Sequence, residues 1–274
     1  MNHASLIDGC RYSGATLKRF RHNDIEDLKK QMEENGNKTG RRMVVIDGVF
    51  SMSGNVCNAP EIIKICKEYD AALFIDECHS HFVLGKTGGG IKELFQLKEE
   101  DVDIEMGTLS KAIPAVGGYI AGSADMVTYL RRASRGFIYS GATSAVMIAA
   151  ALASLKIFRR ERESLITRLT ENIRYFRQAI ADRGLKLTGG GQTPIVPILV
   201  GSATVATHVA AFCQKRNVFI HAVAPPVVER GKAIMRASIM VNHRKEDLQY
   251  AAGVIAESVN KALEEIPKEE AALM

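Results

Sequence analysis

No stretch of the 274-residue sequence is apolar for the length of a membrane span. A bilayer crossing needs about 20 apolar residues in a row, so no transmembrane helix is expected. The start, Met1-Asn2-His3-Ala4-Ser5, has neither the basic cap nor the apolar run of a secretory signal. Cysteine is sparse, at Cys10, Cys57, Cys66, Cys78 and Cys213, with no CxxC spacing. An odd, scattered set argues against a disulfide scaffold or a zinc ribbon and for a reducing compartment, with the cytoplasm as the expected location. Internal repeats and low-complexity tracts are missing too. Arginines bunch at Arg131, Arg132 and Arg135 and at Arg159, Arg160 and Arg162, but acids alternate with the basic residues and no helix-turn-helix or zinc-finger pattern accompanies them. Nucleic acid is therefore not an expected partner. A net charge of +5 suits a site for an anionic small molecule, such as a phosphate or a CoA ester.

What is present is ordinary globular composition, 46% hydrophobic and 24% charged, in a chain long enough for one or two domains. Short β-branched runs alternate with helical stretches. Met43 to Ile46, Ala71 to Ile75, Ile104 to Thr108 and Gly118 to Gly122 read as strands, and Pro60 opens an amphipathic helix with Ile62, Ile63, Ile65 and Cys66 on its apolar face. The alternation predicts an α/β domain with a largely parallel sheet. A long helix follows from about Ala145 to Asp182, its buried face marked by Leu155, Phe158, Leu165, Leu169, Ile173, Phe176 and Ile180. Strands at Ile195 to Val200, Val218 to Ala222 and Met235 to Val241, with helices at Val205 to Lys215 and Lys245 to Leu263, predict a smaller α+β domain. The expected division is 1–152 and 153–274.

Three polar motifs each follow a strand, where open α/β sheets place their ligands. Asp76-Glu77-Cys78-His79-Ser80 would otherwise be a solvated turn. Lys111 lies in Gly107-Thr108-Leu109-Ser110-Lys111-Ala112, between small and apolar residues with no neighbouring acid. Most lysines only solubilise a surface, but a desolvated one is a nucleophile toward an aldehyde. Ser51 sits in a glycine-bounded loop, Gly48 to Gly54, where a turn-forming role is the simpler reading. Other patterns fail: Gly85-Lys86-Thr87 lacks the first glycine of a phosphate-binding loop, and Gly88-Gly89-Gly90 does not extend to GxGxxG. Cys78, His79 and His81 have nothing else at ligand spacing, so no metal is expected.

Together these residues resemble the α-oxoamine synthase family of fold-type-I pyridoxal 5'-phosphate (PLP) enzymes. The likeness runs from Asn2-His3-Ala4-Ser5 through His22-Asn23-Asp24, Val49-Phe50-Ser51-Met52, Asp76 to Ser80 and Thr108 to Lys111. It continues through Phe137-Ile138-Tyr139-Ser140, Thr193-Pro194-Ile195 and Pro225-Pro226. The resemblance implies the aspartate aminotransferase-like fold, with residues 1–152 as the cofactor-binding domain and 153–274 as linking helix and small domain. It implies that Lys111 carries the cofactor as a Schiff base and moves protons at the substrate α-carbon. Asp76 would hold the ring nitrogen protonated, and His79 with Ser51 would bond the phenolic oxygen. His3 would lie on the ring, Thr108 would reach the phosphate, and Arg236 would fork onto the substrate carboxylate. The plainer alternatives are that His3, near a terminus, is solvated and that Arg236 pairs with a structural acid.

The activity so implied is condensation of a small amino acid with an acyl-CoA or acyl-carrier thioester, losing carbon dioxide, to give an α-amino ketone. A homodimer is expected. Aminotransferase or aldolase-type lyase chemistry is the alternative, as is a truncated, non-catalytic scaffold or partner chain. The sequence begins almost on the Asn-His-Ala-Ser motif, before which family members carry a sizeable region. An exposed sheet edge or apolar face is therefore expected. The family's Tyr-Ser-Thr-Ser run also reads Tyr139-Ser140-Gly141-Ala142 here, which displaces a phosphate-reaching hydroxyl.

Overall fold

A computed structural model describes residues 1–34 and 40–266 of the chain. They form two compact units: the described residues of 1–50 with those of 56–163, and 51–55 with 164–266.

The first unit is built on a four-stranded sheet of β1 (Arg42–Asp47), β2 (Ala71–Asp76), β3 (Ile104–Thr108) and β4 (Gly118–Gly122), in that spatial order. β1, β2 and β3 are parallel and β4 runs antiparallel to β3. Val44, Ile46, Leu73, Ile75 and Ile104 are buried, so these strands are stabilised mainly by the apolar surface they remove from water. Parallel neighbours need a crossover. α3 (Ala59–Glu68) supplies the one between β1 and β2, with a proline in its first turn and Ile62, Ile63, Ile65 and Cys66 buried. The other helices of this unit are α1 (Ala4–Tyr12), α2 (Ile25–Glu34), α4 (Gly90–Phe95), α5 (Ala124–Ala133) and α6 (Arg135–Ile138), none of which periodicity announced. α1, α5 and α6 bury no residue, and α2 buries only Leu28 and Met32.

α7 (Ala145–Ala181) is 37 residues long and belongs to both units; at 1.5 Å per residue it measures about 55 Å. Its first half contributes Ala151 and Leu155 to a small cluster with Ile113, Ala115, Leu109 and Phe82. In its second half Ile173, Phe176 and Ile180 are buried, as their spacing predicts. There they join the second unit's sheet, β5 (Ile195–Gly201), β6 (His221–Val223) and β7 (Ala233–Ser238) in the antiparallel order β5-β7-β6, with α8 (Ala203–Lys215) and α9 (Lys245–Glu265). Two expected strands are shifted. Val218 and Ile220 alternate inward as a strand would, but pairing with β7 starts only at His221. β7 begins at Ala233 and its ladder with β5 ends at Ser238.

Among the described residues no helix is long and apolar enough to cross a membrane. All five cysteines are free.

Candidate active site

The carboxyl ends of β1, β2 and β3 gather the chemistry of the first unit. Asp47 and Asp76 close β1 and β2 and are register partners, 3% and 6% exposed. Backbone bonds lock this end of the sheet: Gly48 N donates to Asp76 O at 2.8 Å, and Glu77 N to Met106 O at 2.7 Å. The Asp76 carboxylate accepts the Cys78 N–H at 2.8 Å, and Asp76 enters no ion pair among the described residues. Burial, with the adjacent Asp76 charge, pushes the Cys78 thiol up to about 12, so it is protonated at neutral pH. His79 is half-buried in the turn that follows.

Lys111 lies in the loop between β3 and β4. Leu109 N donates to Gly117 O at 2.9 Å and Ala115 N to Leu109 O at 2.8 Å, which ties the loop across its base. Gly117 sits at φ +128°, a conformation that favours glycine. Thr108 Oγ1 lies 2.8 Å from Ser110 Oγ and accepts the Ser110 N–H at 3.2 Å, a hydroxyl turn directly before the lysine. Lys111 is exposed rather than desolvated, because β4, its neighbour in the chain, faces solvent along most of its length. His3 is exposed as well and caps α1: its Nδ1 accepts from Ser5 N, and its backbone N–H reaches the Asp47 carboxylate.

Ser51 and Arg236 belong to the second unit and meet there. Arg236 Nε donates to the Ser51 carbonyl at 2.6 Å and Nη1 to Ser238 Oγ at 2.9 Å. Burial lowers the guanidinium from its ordinary value. The loop carrying Ser51 is held by Thr193, whose buried hydroxyl donates to Gly54 O at 3.1 Å. Pairing of Arg236 with a structural acid, the alternative reading of the sequence, does not occur among the described residues.

Sequence reasoning missed a second polar group, which lies beside Asp76. Glu77, 1% exposed, accepts the Ile91 N–H with both oxygens, at 3.1 and 3.2 Å, and is bonded by Ser80 Oγ. His81 Nε2 lies 3.5 Å from Glu105 and 3.9 Å from Glu77, while its Nδ1 is 2.6 Å from the Tyr119 hydroxyl. Lys92 Nζ binds Glu105 at 2.5 Å. Burial holds Glu77 above the usual carboxylate range; for Glu105 burial acts the same way, but its bonds to His81 and Lys92 outweigh it and lower the group. Among the described residues, the side chains that converge at metal-ligand distance are thus Glu77, His81 and Glu105, within 4.8 Å, and not Cys78, His79 and His81. Lys92 already places a cation on Glu105. Asp47 was missed too, although it ends its strand as visibly as Asp76 does.

A mostly parallel sheet carrying an acid and a lysine on neighbouring strand ends, with an antiparallel α+β unit, is the fold of the type-I PLP transferases. The chain belongs to the aminotransferase class I and II family, whose family model matches residues 1–255. It is 37% identical over 263 residues to an 8-amino-7-oxononanoate synthase of Thermoanaerobacter pseudethanolicus, covering 96% of this chain and 66% of that one. To a serine palmitoyltransferase of Bacteriovorax stolpii it is 35% identical over 266 residues, covering 97% and 62%. A variant of the S. paucimobilis serine palmitoyltransferase, solved with bound PLP and myriocin, superposes with a TM-score of 0.88 at 26% identity, covering 95% of this chain and 65% of that one. The chain therefore spans a little under two thirds of the length of these relatives.

Proposed function

We propose that this chain serves PLP-dependent acyl transfer, joining a small amino acid to an acyl-CoA or acyl-carrier thioester with loss of carbon dioxide to give an α-amino ketone. One observation carries the reading. Asp76 and Lys111 stand at the ends of adjacent strands in one unit, and among the described residues neither is spent on an ion pair. A buried carboxylate without a cation fits a protonated ring nitrogen, and a lysine that no acid holds among the described residues keeps its amine for an aldehyde.

Bound there, PLP would supply the electron sink that lets an amino-acid α-carbon carry negative charge. Asp76 would keep the ring nitrogen protonated. Lys111 would hold the cofactor and take up or return the proton at the substrate α-carbon. Thr108 would bond the phosphate, His3 would cover the ring, and His79 and Ser51 would bond the phenolic oxygen. Arg236, fixed through Nε and Nη1, retains donors for a substrate carboxylate. In this reading residues 1–152 form the cofactor-binding domain, 153–274 are the linking helix and small domain, and the working form is a cytoplasmic homodimer.

The test is the visible absorption spectrum of the protein with added PLP, beside Lys111→Ala. A Schiff-base band in the parent, trapped on Lys111 by borohydride and lost in the variant, is the expected result. The acyl-transfer step is read by mass spectrometry of the product from amino acid plus acyl-CoA. Transamination or retro-aldol products alone would replace this reading with the aminotransferase or lyase alternative, and a folded protein without the band would leave the scaffold.

A further inference from the structure

Asp47 closes β1 as Asp76 closes β2, and burial at 3% exposure is costly for a carboxylate whose oxygens go unused. Both oxygens accept one donor, the backbone N–H of His3, at 3.2 Å each. One residue earlier, Asn2 Nδ2 donates to Val45 O at 2.6 Å. These bonds lay residues 2–3 along the end of β1. The His3 ring is fixed separately, with Nδ1 2.8 Å from Ser5 Oγ and accepting from Ser5 N at 3.3 Å. With Nδ1 committed to the cap, His3 presents its ring face and Nε2.

We propose that Asp47 is a positioning residue for the cofactor site: by holding the His3 backbone against the end of β1, beside Asp76, it sets where the His3 imidazole lies on the cofactor ring. The inference rests on the proposed function, in which His3 covers that ring. An uncharged acceptor would serve a purely architectural clamp at less cost. A carboxylate gives roughly twice the bond strength of a neutral acceptor, and it adds a charge next to Asp76.

That charge supplies the discriminating measurement. Burial raises Asp47 to about 6; the His3 N–H opposes this, Asp76 adds to it, and the Met1 amine and Lys111 oppose it. The thiols of Cys57 and Cys78 also feel the group, and both are held protonated. A carboxylate raised in the folded state costs stability above its folded value. The cost shrinks as pH falls through about 6 toward the ordinary 3.8. Asp47→Asn removes it, so the thermal midpoint of the variant should equal or exceed the parent's at pH 8, by up to a few degrees, with the difference closing toward pH 4.

The experiment compares parent, Asp47→Asn and Asp47→Ala by three readouts. These are hydrogen exchange of residues 1–12 without cofactor, thermal midpoint against pH, and the dissociation constant of added PLP from its absorbance. Exchange of the segment should quicken several-fold in Asp47→Asn and at least tenfold in Asp47→Ala, and PLP should bind about tenfold more weakly in Asp47→Ala and about threefold more weakly in Asp47→Asn. In Asp47→Asn the weaker binding should come without any fall in the midpoint at pH 8. Unchanged exchange in both variants overturns the proposal. So does an Asp47→Asn midpoint at pH 8 that falls in step with PLP affinity, which is the mark of a structural residue. If the parent itself binds no PLP, the proposed function fails and takes the cofactor role of Asp47 with it. The exchange data would still show whether the clamp on His3 exists.

Discussion

Glu105 lies against two basic side chains of different kinds, the Lys92 ammonium and the His81 imidazole. Its lowered pKa means that it stabilises the fold above the ordinary carboxylate value, and that this support is lost as pH falls through the depressed one. Lys92→Met should therefore cost on the order of 2 kcal/mol in urea unfolding at pH 7.5, because the buried Glu105 charge loses its nearest partner, and clearly less at pH 4. An equal cost at both pH values would show that packing of the lysine stem matters and its charge does not. No local pattern announces this group. Its members come from a turn, a helix and two strands, and only the fold brings them together. Asp76 was legible because a strand-ending acid is followed at once by Glu77, Cys78 and His79. Asp47 carries the same strand-end signature but is followed by glycine and apolar residues, which draw no attention to it. Ser51 and Arg236 were each legible alone; that the arginine binds the serine's carbonyl and not its hydroxyl is a matter of backbone path, which residue types do not encode.

Among the elements, α7 was the most legible, since 37 residues of one helical period give many chances to see the same face. Its two halves nevertheless differ in what they bury. Phe176 is 2% exposed in the second unit's core, whereas Leu152 is 51% exposed. Phe176→Ala should cost about 3–5 kcal/mol in denaturant unfolding, and Leu152→Ala should stay within about 0.5. Comparable losses at the two sites would mean that Leu152 is covered in solution. The short helices were silent because they have little to bury: α1 and α5 hold to the fold through caps and hydrogen bonds more than through an apolar stripe. β6 was overextended for the opposite reason. Val218 and Ile220 bury their side chains in strand-like alternation before the backbone has joined a ladder, and sequence reports the side chains only.

For the whole molecule, the first unit leaves large apolar side chains in solvent at Val116, Ile120, Phe137, Ile138, Val146 and Ile148. So much exposed apolar surface is unusual for a solitary soluble protein. Sedimentation velocity should accordingly show a dimer at micromolar concentration; a monomer across that range would remove the homodimer from the proposed function. The sequence motifs announced an α/β unit and an α+β unit in the right order. They did not announce that five residues of the loop after β1 belong with the later part of the chain. That detour has a consequence for how the protein is made. On the ribosome, the carbonyls of Ser51 and Gly54 emerge 185 and 139 residues ahead of Arg236 and Thr193, the side chains that bond them. At about 5–20 residues per second, the loop waits roughly 10–40 s for Arg236 to be synthesised. The second unit is therefore sewn shut by thread laid down early, and a translational pause before residue 236 would lengthen the time that seam stays open.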